Sequence, residues 1–159
     1  MESWYDTLEI RAVLDRYAAG IDRRDWDRFA SCFTADCHVD YGPNGVYTSR
    51  DPFVEAFDLM HRPPVGATLH RVTNHDIVVD GDSATAISYF DAVLKVEHKG
   101  FQLLHVIGTY TDELRRTSDG WRISRRTADS VMRRREHEPP APTAPAAAAR
   151  KVSPARRTP

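Results

Sequence analysis

Cysteine is scarce: Cys32 and Cys37 are the only two among 159 residues. That is too few for a disulfide scaffold, and there is no second pair to build a zinc site, so both are read as reduced structural thiols. Long apolar runs are missing too. No segment approaches the length needed to span a bilayer, and the opening "MESWYDTLEI" has neither a basic start nor an apolar stretch, so a soluble, cytoplasmic protein with no membrane partner is expected. The chain also contains no G-x-G-x-x-G after a strand, no G-x-x-x-x-G-K, no G-x-S-x-G elbow, and no H-x-H, H-E-x-x-H or C-x-x-C. The usual signatures of nucleotide cofactors, serine hydrolysis and pre-spaced metal ligands are therefore lacking, and neither cofactor nor metal is expected.

Excess positive charge is lacking as well. The formal net charge is -1, and residues 139–159 hold four of the cations and no acid, which leaves 18 basic against 23 acidic residues, or -5, over 1–138. A mildly acidic body argues against nucleic acid as a partner. The last stretch, "PPAPTAPAAAARKVSPARRTP", is rich in Pro and Ala without apolar periodicity and reads as a solvated tail. The expected division is one domain over 1–136 and a disordered tail over 137–159.

What is present is patterning. Ile10, Val13, Leu14, Tyr17 and Ile21 recur at helical spacing, and Trp26, Phe29, Ala30 and Phe33 do so again after a break near Gly20 to Arg24, which predicts two consecutive helices. Two short strands are expected around Gly42-Pro43-Asn44-Gly45. A third helix then starts with Asp51 as N-cap and Pro52 at its first position. Beyond it, four long β-rich runs are separated by Asp80-Gly81-Asp82, Lys99-Gly100 and Ser118-Asp119-Gly120, the pattern of an antiparallel meander. Helices gathered ahead of long strands give an α+β domain, with the helices on one face of a strongly curved sheet and a pocket between the layers.

Two polar residues stand out on surfaces expected to face the core, although neither face of Leu69 to Val79 is cleanly apolar. His70 opens the strand Leu69 to Val79, and Asp22 stands beside Ile21 at the end of the first helical stripe. Each has a plain structural alternative: a histidine satisfied by a nearby carbonyl, and an acid that starts the solvated cluster "DRRDWDR" or caps the second helix. Set together, they suggest a base and its orienting carboxylate, since burial of Asp22 is tolerable only with a partner and His70 could supply it. His105 is a second histidine on a central strand, sharing a face with Ile107 and Thr109.

At these residues the sequence resembles the SnoaL-like branch of the nuclear transport factor 2 superfamily. The likeness spans about residues 5 to 133 and rests on "YAAGIDRRDWDRFASCFTADC", "LHRVTNH" and "GTYTDELRRTSDGWRISRR". It implies a cone-shaped α+β barrel: three N-terminal helices on a strongly curved, mainly antiparallel sheet that encloses a pocket. Within the branch the chain looks most like the cofactor-independent lyases scytalone dehydratase, bile acid 7α-dehydratase and hexachlorocyclohexane dehydrochlorinase. Their Asp-His dyad matches Asp22 and His70, and the tyrosines of the bile acid enzyme match Tyr17 and Tyr41.

There are departures. Tyr17 stands where the dehydrochlorinase has lysine, which favours loss of water over loss of halide. The second histidine of scytalone dehydratase falls beside His105, although a gapless reading puts it at Ile107. The dehydrochlorinase arginine matches Arg126, with Arg125 as competitor. The resemblance thus implies a dehydratase-type lyase with catalytic His70, Asp22, Tyr17 and Tyr41. His105, Arg126, Phe53, Phe57 and Phe90 would bind an apolar carbonyl substrate, cyclic or polyketide- or steroid-like, with Trp4, Tyr5 and Met60 as further wall candidates. It also implies a homo-oligomer formed through the outer face of the sheet. Isomerases, polyketide cyclases and non-catalytic ligand binders of the same superfamily remain alternatives.

Overall fold

A computed structural model describes residues 3–97 and 101–137. The apolar stripe Ile10, Val13, Leu14, Tyr17 and Ile21 is buried as one face of helix α1 (Ser3–Arg23). Each of these side chains contributes roughly 1.5–3 kcal/mol by leaving water. The helix runs straight through Gly20, which corrects the expected break there. Gly20 serves close approach: a Cβ would lie 2.9 Å from the backbone nitrogen of Phe29, so helix α2 (Trp26–Ala30) can pack against α1 only over a residue without a side chain. The chain reverses at Arg24, whose φ of 57° is left-handed. Asp25 then caps α2, its carboxylate accepting the Arg28 N–H at 3.0 Å.

Strands β1 (Phe33–Asp40) and β2 (Val46–Tyr47) pair antiparallel around a short 3-10 turn at Gly42–Asn44, as the Gly-Pro-Asn-Gly stretch predicts. Helix α3 (Arg50–Met60) follows, with Ser49 rather than Asp51 at its N-cap. Pro52 therefore sits two residues deeper than expected, still within the first turn, where a missing N–H costs nothing.

Strands β3 (Val65–Asp80), β4 (Ser83–Glu97), β5 (Phe101–Thr117) and β6 (Gly120–His137) form the antiparallel meander. β6 then pairs parallel with β1, giving a mixed six-stranded sheet in the order β2-β1-β6-β5-β4-β3 that is not closed. Register shifts at Thr73/Asp76 and Ile107/Gly108 bend the long strands. Their inner face alternates cleanly along β4, where Ala84, Ala86, Ser88, Phe90 and Ala92 are buried while Thr85, Ile87 and Tyr89 are exposed. The Lys99-Gly100 turn and all of the expected tail except His137, which ends β6, lie outside the described residues. Among the described residues no helix is long and apolar enough to cross a membrane.

Candidate active site

Asp22 occupies the last turn of α1, one residue beyond the fully buried Ile21. The stripe that anchors Ile21 turns the neighbouring carboxylate toward the start of β3 rather than to solvent. There it accepts three hydrogen bonds. His70 Nδ1–H donates to Oδ1 at 2.7 Å, Thr68 Oγ1 donates to the same oxygen at 2.9 Å, and the His70 backbone N–H donates to Oδ2 at 2.8 Å. Burial pushes the Asp22 carboxyl up, but the His70 and Thr68 hydrogen bonds outweigh it and hold the acid below its ordinary value. It is therefore ionised at neutral pH. The capping role falls to Asp25, so both structural alternatives for Asp22 are replaced by its pairing with His70.

The carboxylate fixes the state of the ring. With Nδ1 protonated and donating to Asp22, neutral His70 leaves Nε2 bare, and its side chain, only 8% exposed, lines a cavity of about 250 Å³. Arg24 braces the acid from behind. Its guanidinium donates to Thr68 Oγ1 at 2.9 Å and to the Ile21 and Gly66 carbonyls at 2.6 and 2.7 Å, tying the end of α1 to β3.

Phenols line another part of the same cavity. Tyr17 Oη lies 2.8 Å from Tyr41 Oη and 3.2 Å from Tyr110 Oη. Burial raises the pKa of all three, so they stay protonated at neutral pH. Three hydroxyl protons serve two hydrogen bonds within the chain, which leaves one O–H to donate to a ligand. Behind them, Arg126 stacks on the Tyr17 and Tyr110 rings at 4.2 and 4.0 Å and forms a fully buried bidentate pair with Asp112, 2.7 Å at both contacts. Phe57, Phe90, Ala92, Leu94 and Val106 supply apolar wall.

The other expected residues divide. Phe57, Phe90 and Met60 line the cavity. Three of the expected binding residues do not. Phe53 is fully buried beneath Tyr41 and Phe57, with ring centroids 5.5 and 4.6 Å away, so it supports the wall without reaching a ligand. Arg126 is held behind the phenols by Asp112. His105 projects from the outer face of the sheet, because its neighbours Leu104 and Val106 take the inner one, and there it pairs with Asp91 at 2.8 Å. Trp4 and Tyr5 are exposed near the start of α1, at 61% and 70%.

Tyr110 and His61 are lining residues that pattern reading missed. Tyr110 shares its face with Val106 and Gly108 and looked like ordinary strand core, whereas His61 stood in a helix end with nothing to mark it. Burial pushes the Cys32 and Cys37 thiols up to about 11, which leaves them protonated. Two imidazoles, His61 and His70, face the cavity, and among the described residues no group of three or more His, Cys, Asp or Glu side chains converges to hold a metal.

Comparison with known proteins agrees with this architecture. The family model described as a SnoaL-like domain matches residues 2–127. An uncharacterized protein of Mycobacterium tuberculosis is 34% identical over 125 residues, which cover 76% of this chain and 82% of that one. A crystal structure from Novosphingobium aromaticivorans, provisionally named a scytalone dehydratase, superposes with a TM-score of 0.74 at 22% identity, covering 86% of this chain and 91% of the other. The type 3 hexachlorocyclohexane dehydrochlorinase of Novosphingobium barchaimii superposes with a TM-score of 0.70 at 21% identity, covering 86% and 99%. At such identities the two structures speak for the fold alone.

Proposed function

We propose, for a chain that belongs to the SnoaL-like domain family, that Asp22 and His70 are the acid/base pair of a cofactor-independent lyase that eliminates water from a largely apolar cyclic carbonyl compound. One observation carries the reading: an imidazole whose Nδ1 is held by a half-buried carboxylate, leaving Nε2 without a partner, lines a largely apolar cavity that phenol donors also line. The reaction such a site suits is proton abstraction from the carbon next to a carbonyl. His70 Nε2 takes that proton, Asp22 stabilises the imidazolium, and the free phenol O–H of the tyrosine chain donates to the oxygen on which negative charge develops. The electron pair left by the C–H bond forms the double bond as the β C–O bond breaks, and the imidazolium proton joins the departing hydroxide. Water leaves, and His70 is neutral again.

General-base assistance of this kind is worth about 10² to 10⁴ in rate. The superposed dehydratase and dehydrochlorinase, eliminating enzymes by name, share this fold, so the fold is compatible with the reaction class. The test is to screen β-hydroxy ketones of one or two rings by mass spectrometry with wild type, His70→Ala and Asp22→Asn. Loss of one water mass that both variants suppress is the expected result. A product of unchanged mass would assign an isomerase or cyclase instead, and full turnover by His70→Ala would remove His70 from the chemistry.

A further inference from the structure

The acid/base reading leaves one buried imidazole of the cavity unused. His61 closes α3 as its C-cap residue, is 9% exposed, and has its ring flanked by those of Phe57 and Trp26 at 5.7 and 5.8 Å. Its Nδ1 lies 2.7 Å from the Phe57 carbonyl. A carbonyl oxygen can only accept, so Nδ1 carries the proton and neutral His61 has a bare Nε2. Burial pushes its pKa down to about 4, so the ring remains neutral at ordinary pH and serves as an acceptor. Among the described residues no side chain or backbone group donates to Nε2, and the ring lines the cavity with its centroid 6.2 Å from that of His70.

Capping α3 accounts for Nδ1 and leaves Nε2 without a role. In a cavity whose wall includes Phe90, Leu94 and Val106, a bare nitrogen favours a ligand that brings it a donor over one that replaces its water with hydrocarbon. Size limits that ligand. A cavity of roughly 150 Å³ takes benzene, and about 250 Å³ here suits one or two rings. We infer that His61 Nε2 is a hydroxyl-reading subsite, so that the compound the cavity takes carries an O–H donor on an apolar body of one or two rings. The inference rests on the cavity being the ligand chamber of the proposed reaction, but it does not depend on elimination taking place.

The full chain titrated calorimetrically with β-naphthol and β-methylnaphthalene, a pair of similar shape that differs in the donor, provides the test. Wild type is expected to favour the naphthol about tenfold, as one hydrogen bond to a buried acceptor allows. The preference should fall below about twofold in His61→Phe. It should persist in His61→Gln, whose Oε1 reaches the Nε2 position, and in His70→Phe. Equal affinities in wild type, or a preference that survives in folded His61→Phe, would overturn the subsite. So would a preference that His70→Phe removes. If His61→Phe does not fold, imidazole nitrogen NMR of wild type decides: the His61 Nε2 resonance should move with naphthol and not with methylnaphthalene, and a resonance that naphthol leaves unmoved overturns the assignment. Binding is read here without turnover. Failure therefore leaves the Asp22–His70 pair untouched, while turnover that survives His70→Ala leaves this result standing.

Discussion

Asp22→Asn does more than remove a charge, because the carboxylate accepts three hydrogen bonds and an amide can accept on one atom only. The His70 backbone N–H, 2.8 Å from Oδ2, cannot rotate away, so the amide oxygen must stay there. The new NH2 then occupies the Oδ1 position, facing Thr68 Oγ1 and His70 Nδ1, which lie at 2.9 and 2.7 Å in wild type. The Thr68 hydroxyl can turn. His70 can meet the NH2 only by giving up its Nδ1 proton, so the neutral ring carries its proton on Nε2 and shows the cavity a donor where a base is needed.

The expected cost in turnover is about 10² to 10⁴, since the dominant tautomer cannot abstract a proton. Stability should fall by only about 1 kcal/mol, because most of the hydrogen bonds are remade in altered form. That loss has a pH signature. The folded pKa of Asp22 lies below its unfolded value of 3.8, so its contribution is present above that pH and fades as pH falls through the folded value. The stability gap between wild type and variant should therefore be constant near neutrality and close in acid. Imidazole nitrogen NMR reads the tautomer directly. A variant whose His70 still carries its proton on Nδ1 would refute the reasoning even if activity were lost.

Tyr17→Phe keeps the ring that stacks on Arg126 but removes the hydroxyl linking Tyr41 to Tyr110; turnover should drop about 10- to 100-fold with melting little changed, measured by kinetics and circular dichroism. Asp112→Asn strands a fully buried guanidinium, and chemical denaturation should show a loss of about 3–5 kcal/mol. His61, with a folded pKa of about 4 against 6.5 unfolded, binds fewer protons folded than unfolded between those values. Stability should therefore decline by up to about 3 kcal/mol as pH falls from 6.5 to 4, and His61→Gln should flatten that part of the denaturation profile.

Local pattern and long-range packing differ in what they leave in the sequence. The α1 stripe, the Gly-Pro-Asn-Gly turn and the meander are repeats of one or two physical rules over neighbouring residues, so they are legible without coordinates. Asp22 was visible for the same reason, as a polar exception where the stripe dictates burial. His105 shows the limit of that reasoning: a histidine on a central strand has equal access to either face, and a parity that pattern alone could not orient sent it outward to Asp91. Arg126 is expected from the resemblance to bind substrate, yet its partner Asp112 is on the adjacent strand in register with it, and burial of both charges follows from that pairing. Gly20 looked like a helix break because glycine is a poor helix former, whereas the approach of Phe29 required it. Tyr110 and His61 acquire meaning only from what stands opposite them, a phenol on another element and a carbonyl one helical turn back. Such roles belong to pairs of positions, and the Asp22–His70 pair is legible because Asp22 breaks the helical stripe and the family resemblance supplies its partner.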